Sequence, residues 1–347
     1  LKMLQASSLP ARVRPATLSV WLFVAAALVV AMVIIGGITR LTESGLSITQ
    51  WKPLTGIIPP LNAAQWQAEF DNYKRIPEYQ QLNRGMTLAG FQAIFFWEYV
   101  HRLLGRVVGM VYLLPFLYFW ARGRLPRGYA PRIGALVALI VLQGAIGWWM
   151  VSSGLTKRTD VSHIRLAIHL VTALTLLAGT VWTALDLRDL AATRLARPAR
   201  LRAFAAAALV LLFTQILFGA FTAGLDAGYA FSSWPLMGDE IFPAATPMTD
   251  PMWRNAIDNP IVVQFIHRWL AFVAAAGIVA LGWRAIRAGA PRIGGIAIAL
   301  VAGQILLGIA TLLTGVEIVV AVAHQANAAL LLIAAIAAAH AVGRRTI

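Results

Sequence analysis

Apolar residues fall along this chain in eight blocks, each long enough to cross the hydrocarbon core of a bilayer, which takes roughly 20 residues of helix. The blocks run near Leu18 to Thr39, Gly90 to Trp120, Ile133 to Val151 and Val161 to Leu185, then Ala203 to Thr222, Ile261 to Trp283, Ile293 to Thr314 and Ile318 to Val342. Polar residues, proline and glycine collect between them. The pattern predicts an all-α integral membrane protein with eight transmembrane helices. The first block lacks a small-residue cleavage site and is long for a removed signal peptide, so it is read as a retained helix.

Composition agrees. Hydrophobic residues make up 59% of the chain and charged residues 12%, against about 25% charged in soluble domains. The net charge of +15 follows from where the arginines sit. The N-terminal tail (Lys2, Arg12, Arg14), the link after the second span (Arg122, Arg124, Arg127, Arg132), the link after the fourth (Arg188 to Arg202), the link after the sixth (Arg284, Arg287, Arg292) and the C-terminal tail (Arg344, Arg345) are all basic. Eight spans put these five segments on one side, which the positive-inside rule makes cytoplasmic, with both termini there. A nucleic-acid footprint would need a soluble basic surface, and the chain offers none. The absence of cysteine excludes disulfides, iron-sulfur clusters, thiolate-ligated haem and covalent haem attachment.

The two halves repeat. Gly36-Gly-Ile-Thr39 matches Gly219-Ala-Phe-Thr222, and Gly45 and Trp51 follow the first threonine at the spacing at which Gly228 and Trp234 follow the second. Gln143-X-X-X-Gly147 matches Gln304-X-X-X-Gly308. The predicted organisation is a tail over residues 1–17, an N-terminal four-helix half over 18–186 with an outer loop at 41–89, a cytoplasmic linker over 187–202 and a C-terminal four-helix half over 203–347. With an even number of spans in each half, the two tandem bundles share orientation and are related by a pseudo-two-fold axis along the membrane normal.

Chemistry enters with four histidines. His101 and His267 stand in Glu98-Tyr-Val-His-Arg102 and Gln264-Phe-Ile-His-Arg268, and each is followed by a second intramembrane histidine, His169 and His324. Ionisable residues within spans are costly and mark function. All four lie roughly 9–16 Å in from the outer side at 1.5 Å per residue, the arrangement by which two facing imidazoles hold a porphyrin iron from both sides. The reading is two bis-histidine haem sites in the outer half of the bilayer. Arg165, one turn before His169, and Arg40, at the outer end of the first span, are placed to pair with propionates. His163 and His340 sit near membrane boundaries without counterparts in the other half and read as interfacial residues. Glu98 breaks the symmetry, because Gln264 holds the matching place. It is either a proton-handling group beside the first porphyrin or a carboxylate bonded to Arg102.

In the long outer loop, Asn62 and Gln65 form a helix-start signal, and Trp66, Phe70 and Tyr73 make one apolar stripe. That helix either lies on the membrane surface or serves as a lid or docking surface over the first site.

With these motifs assembled, the chain resembles the haem A synthase family, in its cysteine-free branch that includes mitochondrial and alphaproteobacterial proteins. The resemblance spans essentially the whole chain. It runs from Gly36-Gly-Ile-Thr-Arg-Leu-Thr-Glu-Ser-Gly-Leu-Ser47 through Gln50-Trp-Lys-Pro53, Glu98-Tyr-Val-His-Arg-Leu-Leu-Gly-Arg106, Arg165-Leu-Ala-Ile-His169 and Gln264-Phe-Ile-His-Arg268 to His324-Gln-Ala-Asn327. It implies oxidation of a methyl of haem O to the formyl of haem A through a hydroxymethyl stage. His101 and His169 would flank the substrate, Glu98 would be catalytic, and His267 and His324 would ligate a haem b. Filled axial positions disfavour oxygen activation at the iron, so a water-derived oxygen is favoured. The implied setting is a bacterial inner membrane. Implied partners are haem O synthase, cytochrome oxidase assembly factors, an unknown electron acceptor and membrane lipid, and a homo-oligomer stays open. Two other classes remain at this point: a diheme b-type electron-transfer cytochrome and a haem transporter.

Overall fold

The computed structural model describes residues 13–53, 55–194 and 197–344. Lys2, Arg12 and Arg345, three of the charges behind the predicted topology, lie outside the described residues. Among those residues the structure is helical apart from one isolated bridge between Met237 and Glu240. Eight helices are long and apolar enough to cross a membrane.

In the N-terminal half, α1 (Pro15–Leu41) is followed in the outer loop by α2 (Ala63–Tyr73) and α3 (Pro77–Gln81). Three further long helices complete the half: α4 (Leu88–Ala121), α5 (Tyr129–Ser152) and α6 (His163–Thr193). The C-terminal half begins with α7 (Ala203–Gly224), passes the short α8 (Asn255–Asp258) and continues as α9 (Pro260–Arg287), α10 (Pro291–Leu313) and α11 (Ile318–Gly343). The long helices overlap the eight predicted blocks. The largest departure is α6, which runs on to Thr193, two turns beyond the predicted end at Leu185.

Local chemistry explains where the helices begin. Thr87 accepts from Gly90 N at 3.2 Å, Asn259 from Ile261 N at 3.0 Å and Glu317 from Val320 N at 2.9 Å. Each bond satisfies a backbone donor that the first turn leaves free. Pro15, Pro260 and Pro291 occupy first helical positions, where the missing N–H costs nothing.

Within the first half α1 packs on α4 and α6, and α5 packs on α4 and α6; within the second, α7 packs on α9, and α10 on α9 and α11. The halves meet where α1 touches α11, α6 touches α7, and α6 touches α11. Under exchange of α1, α4, α5 and α6 with α7, α9, α10 and α11 most of these interfaces have a counterpart, α1 on α6 matching α7 on α11, while α9 also packs on α11 and α4 has no equivalent interface with α6. Buried polar groups are satisfied inside the bundle: Tyr112 and Thr180 hydroxyls meet at 2.7 Å, and Ser19 donates to the Ala184 carbonyl at 2.8 Å. Lipid offers no replacement for such bonds.

The two remaining histidines correct a sequence expectation. His163 and His340 are buried, 7% and 1% exposed, and each meets an acid of the other half. His340 Nε2 lies 2.9 Å from Asp186 Oδ1. The same carboxylate accepts from Arg132 at 2.6 Å and from Ala199 N at 2.9 Å, so the linker and both halves join at one group. His163 Nε2 lies 3.1 Å from Asp258 Oδ1 at the opposite end of the bundle. Both histidines therefore belong to the seam between the halves and not to a lipid interface, His340 beside the buried Asp186 carboxylate, which needs a partner, and His163 beside the half-buried Asp258.

The outer loop also departs from one of its two readings. Asn62 Oδ1 accepts from Gln65 N at 2.9 Å and Gln65 Oε1 accepts from Leu61 N at 2.7 Å, a capping box. The stripe on α2 packs on protein: Trp66 lies against Phe95 with ring centroids 5.0 Å apart, and Phe70 stacks on Phe91 at 5.0 Å. α2 thus packs its apolar face on the N-terminal end of α4.

Candidate functional site

The four intramembrane histidines stand on α4, α6, α9 and α11, and each faces a glycine of the preceding long helix. A β-carbon on Gly36 would lie 3.1 Å from His101 Cε1. The corresponding distances are 3.0 Å from Gly147 to His169, 2.9 Å from Gly219 to His267 and 3.0 Å from Gly308 to His324. Only a residue with no side chain admits an imidazole so close to a neighbouring backbone. All four keep part of their surface accessible, as a ligand-accepting side chain must.

Three of the rings are held by an amide. Gln143 Nε2 lies 3.1 Å from His169 Nδ1 and donates to the His169 carbonyl at 2.8 Å. Gln215 Nε2 lies 3.0 Å from both His267 Nδ1 and the His267 carbonyl oxygen. Gln304 Nε2 lies 3.3 Å from His324 Nδ1, and its Oε1 accepts from Asn327 at 2.7 Å. The sequence comparison marks Gln143 and Gln304 only as signs of duplication and passes over Gln215. The signal that finds all three is one spacing, a glutamine four residues before the histidine-facing glycine. The fourth member of that series has Met32 before Gly36, and His101 Nδ1 is buried without a partner.

A second shared device holds the outer loops. Glu98 accepts from Ser47 Oγ at 2.7 Å and from Ile48 N at 2.6 Å, and Arg102 bonds its other oxygen through Nε and Nη2. Arg102 also donates to the Ile48 and Gln50 carbonyls, at 2.7 and 2.9 Å. In the other half, Gln264 donates to the Ala227 and Phe231 carbonyls and Arg268 to those of Phe231, Ser233 and Leu236. Glu98 and Gln264 occupy the same structural place, one turn from a histidine, clasping the loop that returns from α1 or α7. The contact between Glu98 and Arg102 weighed from the sequence is present, and the carboxyl partner is specific to the first half.

Of the two arginines expected near propionates, Arg40 lies in the last turn of α1 and Arg165 in the first turn of α6. Arg40 Nη2 bonds Asp226 and the Ala223 carbonyl across the seam. Arg165 Nη1 donates to the Trp149 carbonyl at 2.7 Å, with its guanidinium 4.5 Å from the Trp149 ring centroid.

What can this arrangement hold? Among the described residues no three His, Asp or Glu side chains converge as ligands for a bare metal ion. Two imidazoles per half complete an iron's coordination when a porphyrin supplies the other four donors. The residues fit such a group. The histidine Nδ1 must carry the proton for Nε2 to ligate, and the unpartnered Oε1 atoms of Gln143 and Gln215 can accept that proton when the amide turns over.

Comparison with known proteins agrees with this chemistry. Residues 19–336 match the family described as cytochrome oxidase assembly protein. The chain is 52% identical over 333 residues to the haem A synthase of Sphingopyxis alaskensis, covering 96% of this chain and 94% of that protein. It is 56% identical over 327 residues to the haem A synthase of Rhizorhabdus wittichii, covering 94% of each. It is 53% identical over 321 residues to that of Rhodospirillum centenum, covering 91% of this chain and 86% of that protein.

Proposed function

This chain belongs to the cytochrome oxidase assembly protein family, among haem A synthases, and on that premise we propose that it oxidises one methyl group of haem O to the formyl group of haem A. It is an integral membrane protein of eight apolar helices. The observation that carries the reading is the set of four glycine-seated histidines, two in each half.

In this reading His101 and His169 flank the substrate porphyrin, and His267 and His324 hold a resident haem b, which supplies a low-spin redox centre when bound. The methyl and one water together give up two electrons and two protons, one proton from each, to form the hydroxymethyl group, which then loses two more electrons and two more protons to become formyl. The electrons leave to an acceptor. Glu98 is the proposed proton acceptor, since it is one turn from His101 and is the group that Gln264 does not reproduce. Arg40 and Arg165 are proposed partners of the propionates. Each engages a single nitrogen in the bonds described above, so the rest of its guanidinium can turn toward a carboxylate.

The arginine distribution supports both termini on the cytoplasmic side of a bacterial inner membrane, with the haem sites in the outer half of the bilayer. The matching interfaces and the repeated glycine-histidine pairs support two halves, 18–186 and 203–347, related by a pseudo-two-fold axis along the membrane normal. Haem O synthase and oxidase assembly factors are the natural partners for a product passed between membrane proteins. The test is extraction and mass analysis of porphyrins from cells that supply haem O and depend on this chain for haem A. Haem O, its hydroxymethyl form and haem A are expected in the wild type. A protein that holds only haem b and yields no haem A is a diheme cytochrome.

A further inference from the structure

We propose that the two haem sites differ in how firmly their axial histidines are held, and that Met32 is the residue that makes the first site exchangeable. The inference rests on the reading of the four histidines as haem ligands and adds which of them is free to let go.

The side chains that face the four rings form an incomplete series. α1, α5, α7 and α10 each present a glycine to a histidine ring, and four residues before it stand Met32, Gln143, Gln215 and Gln304. One helical turn separates the two positions, so the earlier side chain reaches the Nδ1 side of the ring that the glycine admits. A glutamine there carries donor and acceptor on one short arm and serves either protonation state of Nδ1. In the second half both rings have this support, Gln215 at 3.0 Å from His267 Nδ1 and Gln304 at 3.3 Å from His324 Nδ1. The amide of Gln304 is itself held by Asn327.

The first half is lopsided. His169 has Gln143, bonded twice, while His101 has none. Met32 fills the corresponding place with a thioether, at most a weak acceptor. Its methyl points at α4, where a β-carbon on Gly105 would lie 3.2 Å from Met32 Cε. Methionine and glutamine have nearly the same length and volume, so the position keeps its packing and loses its hydrogen bond. A ligating histidine with no partner on its second nitrogen is less basic and freer to rotate, and losing such a partner typically costs about 10- to 100-fold in metal affinity. The second site is thereby built to retain its haem. The first is built to bind a porphyrin through one fixed and one loosely held imidazole, which suits a substrate that must enter and leave. Met32 and the three glutamines are positioning residues that act through the histidines.

The test uses the full chain in detergent, saturated with iron protoporphyrin IX and mixed with excess apomyoglobin, with haem transfer followed by absorbance. Wild type should release in two phases. Met32→Gln should slow the fast phase by about tenfold and shift the low-spin ferric EPR signal of that site. Gln215→Met should speed the slow phase by about tenfold. A gain of retention in Met32→Gln cannot come from misfolding, so the pair of variants keeps the idea refutable. Release in a single phase, or unchanged phases in both variants, overturns it. His267→Ala separates this failure from that of the underlying reading: if the slow phase survives that substitution, the histidine is not a ligand at all.

Discussion

Gly219→Ala is the sharpest probe of the site. The added β-carbon would lie 2.9 Å from His267 Cε1, 3.6 Å from Nδ1 and 3.7 Å from Nε2. Ordinary contact begins near 3.4 Å, so the ring must move by about 0.5 Å, the tolerance within which a ligand set has to be held. Retreat from α7 carries the imidazole off its Gln215 bonds or into the volume that a porphyrin needs. Overpacking of this kind costs about 1–3 kcal/mol, which corresponds to roughly 5- to 150-fold in haem affinity at 1.4 kcal/mol per decade. Gly308→Ala, facing His324 at 3.0 Å, should behave alike. Alanine recovers about 0.5–1 kcal/mol of helix stability over glycine, so the apo variants should melt only modestly below wild type while haem content falls sharply. Gly295→Ala is the control, because a β-carbon there meets nothing within 4 Å. The assay is haem b per polypeptide by pyridine haemochrome after purification, alongside a thermal melt. Full haem content in Gly219→Ala and Gly308→Ala, or equal loss in Gly295→Ala, would refute the seating role of these glycines.

Further outcomes follow from the clasps and the outer loop. Glu98→Gln loses the pair with Arg102 and one acceptor for the loop, so it should make little haem A, with haem b content measured alongside to separate lost chemistry from lost assembly; near-normal haem A by mass analysis removes Glu98 from the proton chemistry. Asp186→Ala strips the buried partner from Arg132 and His340 and should cost about 3–5 kcal/mol, read as a lowered melting temperature, while Asp189→Ala, at an exposed pair with Arg344, should cost under about 1 kcal/mol. Burial raises the carboxyl of Glu78, in α3, to about 8 from its ordinary 4.5. The folded loop therefore holds a proton that the unfolded loop loses above pH 4.5, so loop stability should fall as pH rises from there to about 8 and level off beyond. Proteolytic protection of residues 63–81 across that range measures it, and Glu78→Gln should flatten the slope.

Much of the site was legible because the bilayer makes local sequence informative. A histidine in an apolar span stands out at once, and duplication supplied an internal alignment that matched His101 with His267 and His169 with His324. Gln264 against Glu98 was visible the same way, as was the bond to Arg102, which four-residue spacing on a helix makes geometrically available. Gln215 escaped because it lies in α7 and its ring in α9, with no local pattern joining them. His163 and His340 were misassigned for a related reason: their positions near the ends of their helices suggested a lipid boundary, and their acid partners, Asp258 and Asp186, stand far along the chain.

The sequence by itself determined the eight apolar helices and the internal repeat of their motifs. Each of these follows from the transfer free energy of residues considered block by block, with no knowledge of neighbours. Tertiary structure alone decided which helix lies against which, and so which glycine admits which imidazole, which amide reaches its second nitrogen, and which ring is left without one. Lipid tails are as apolar as the side chains they meet, so hydropathy cannot rank one helix partner over another. Close approach and interhelical hydrogen bonds make that choice, and they exist only once the helices have been brought together.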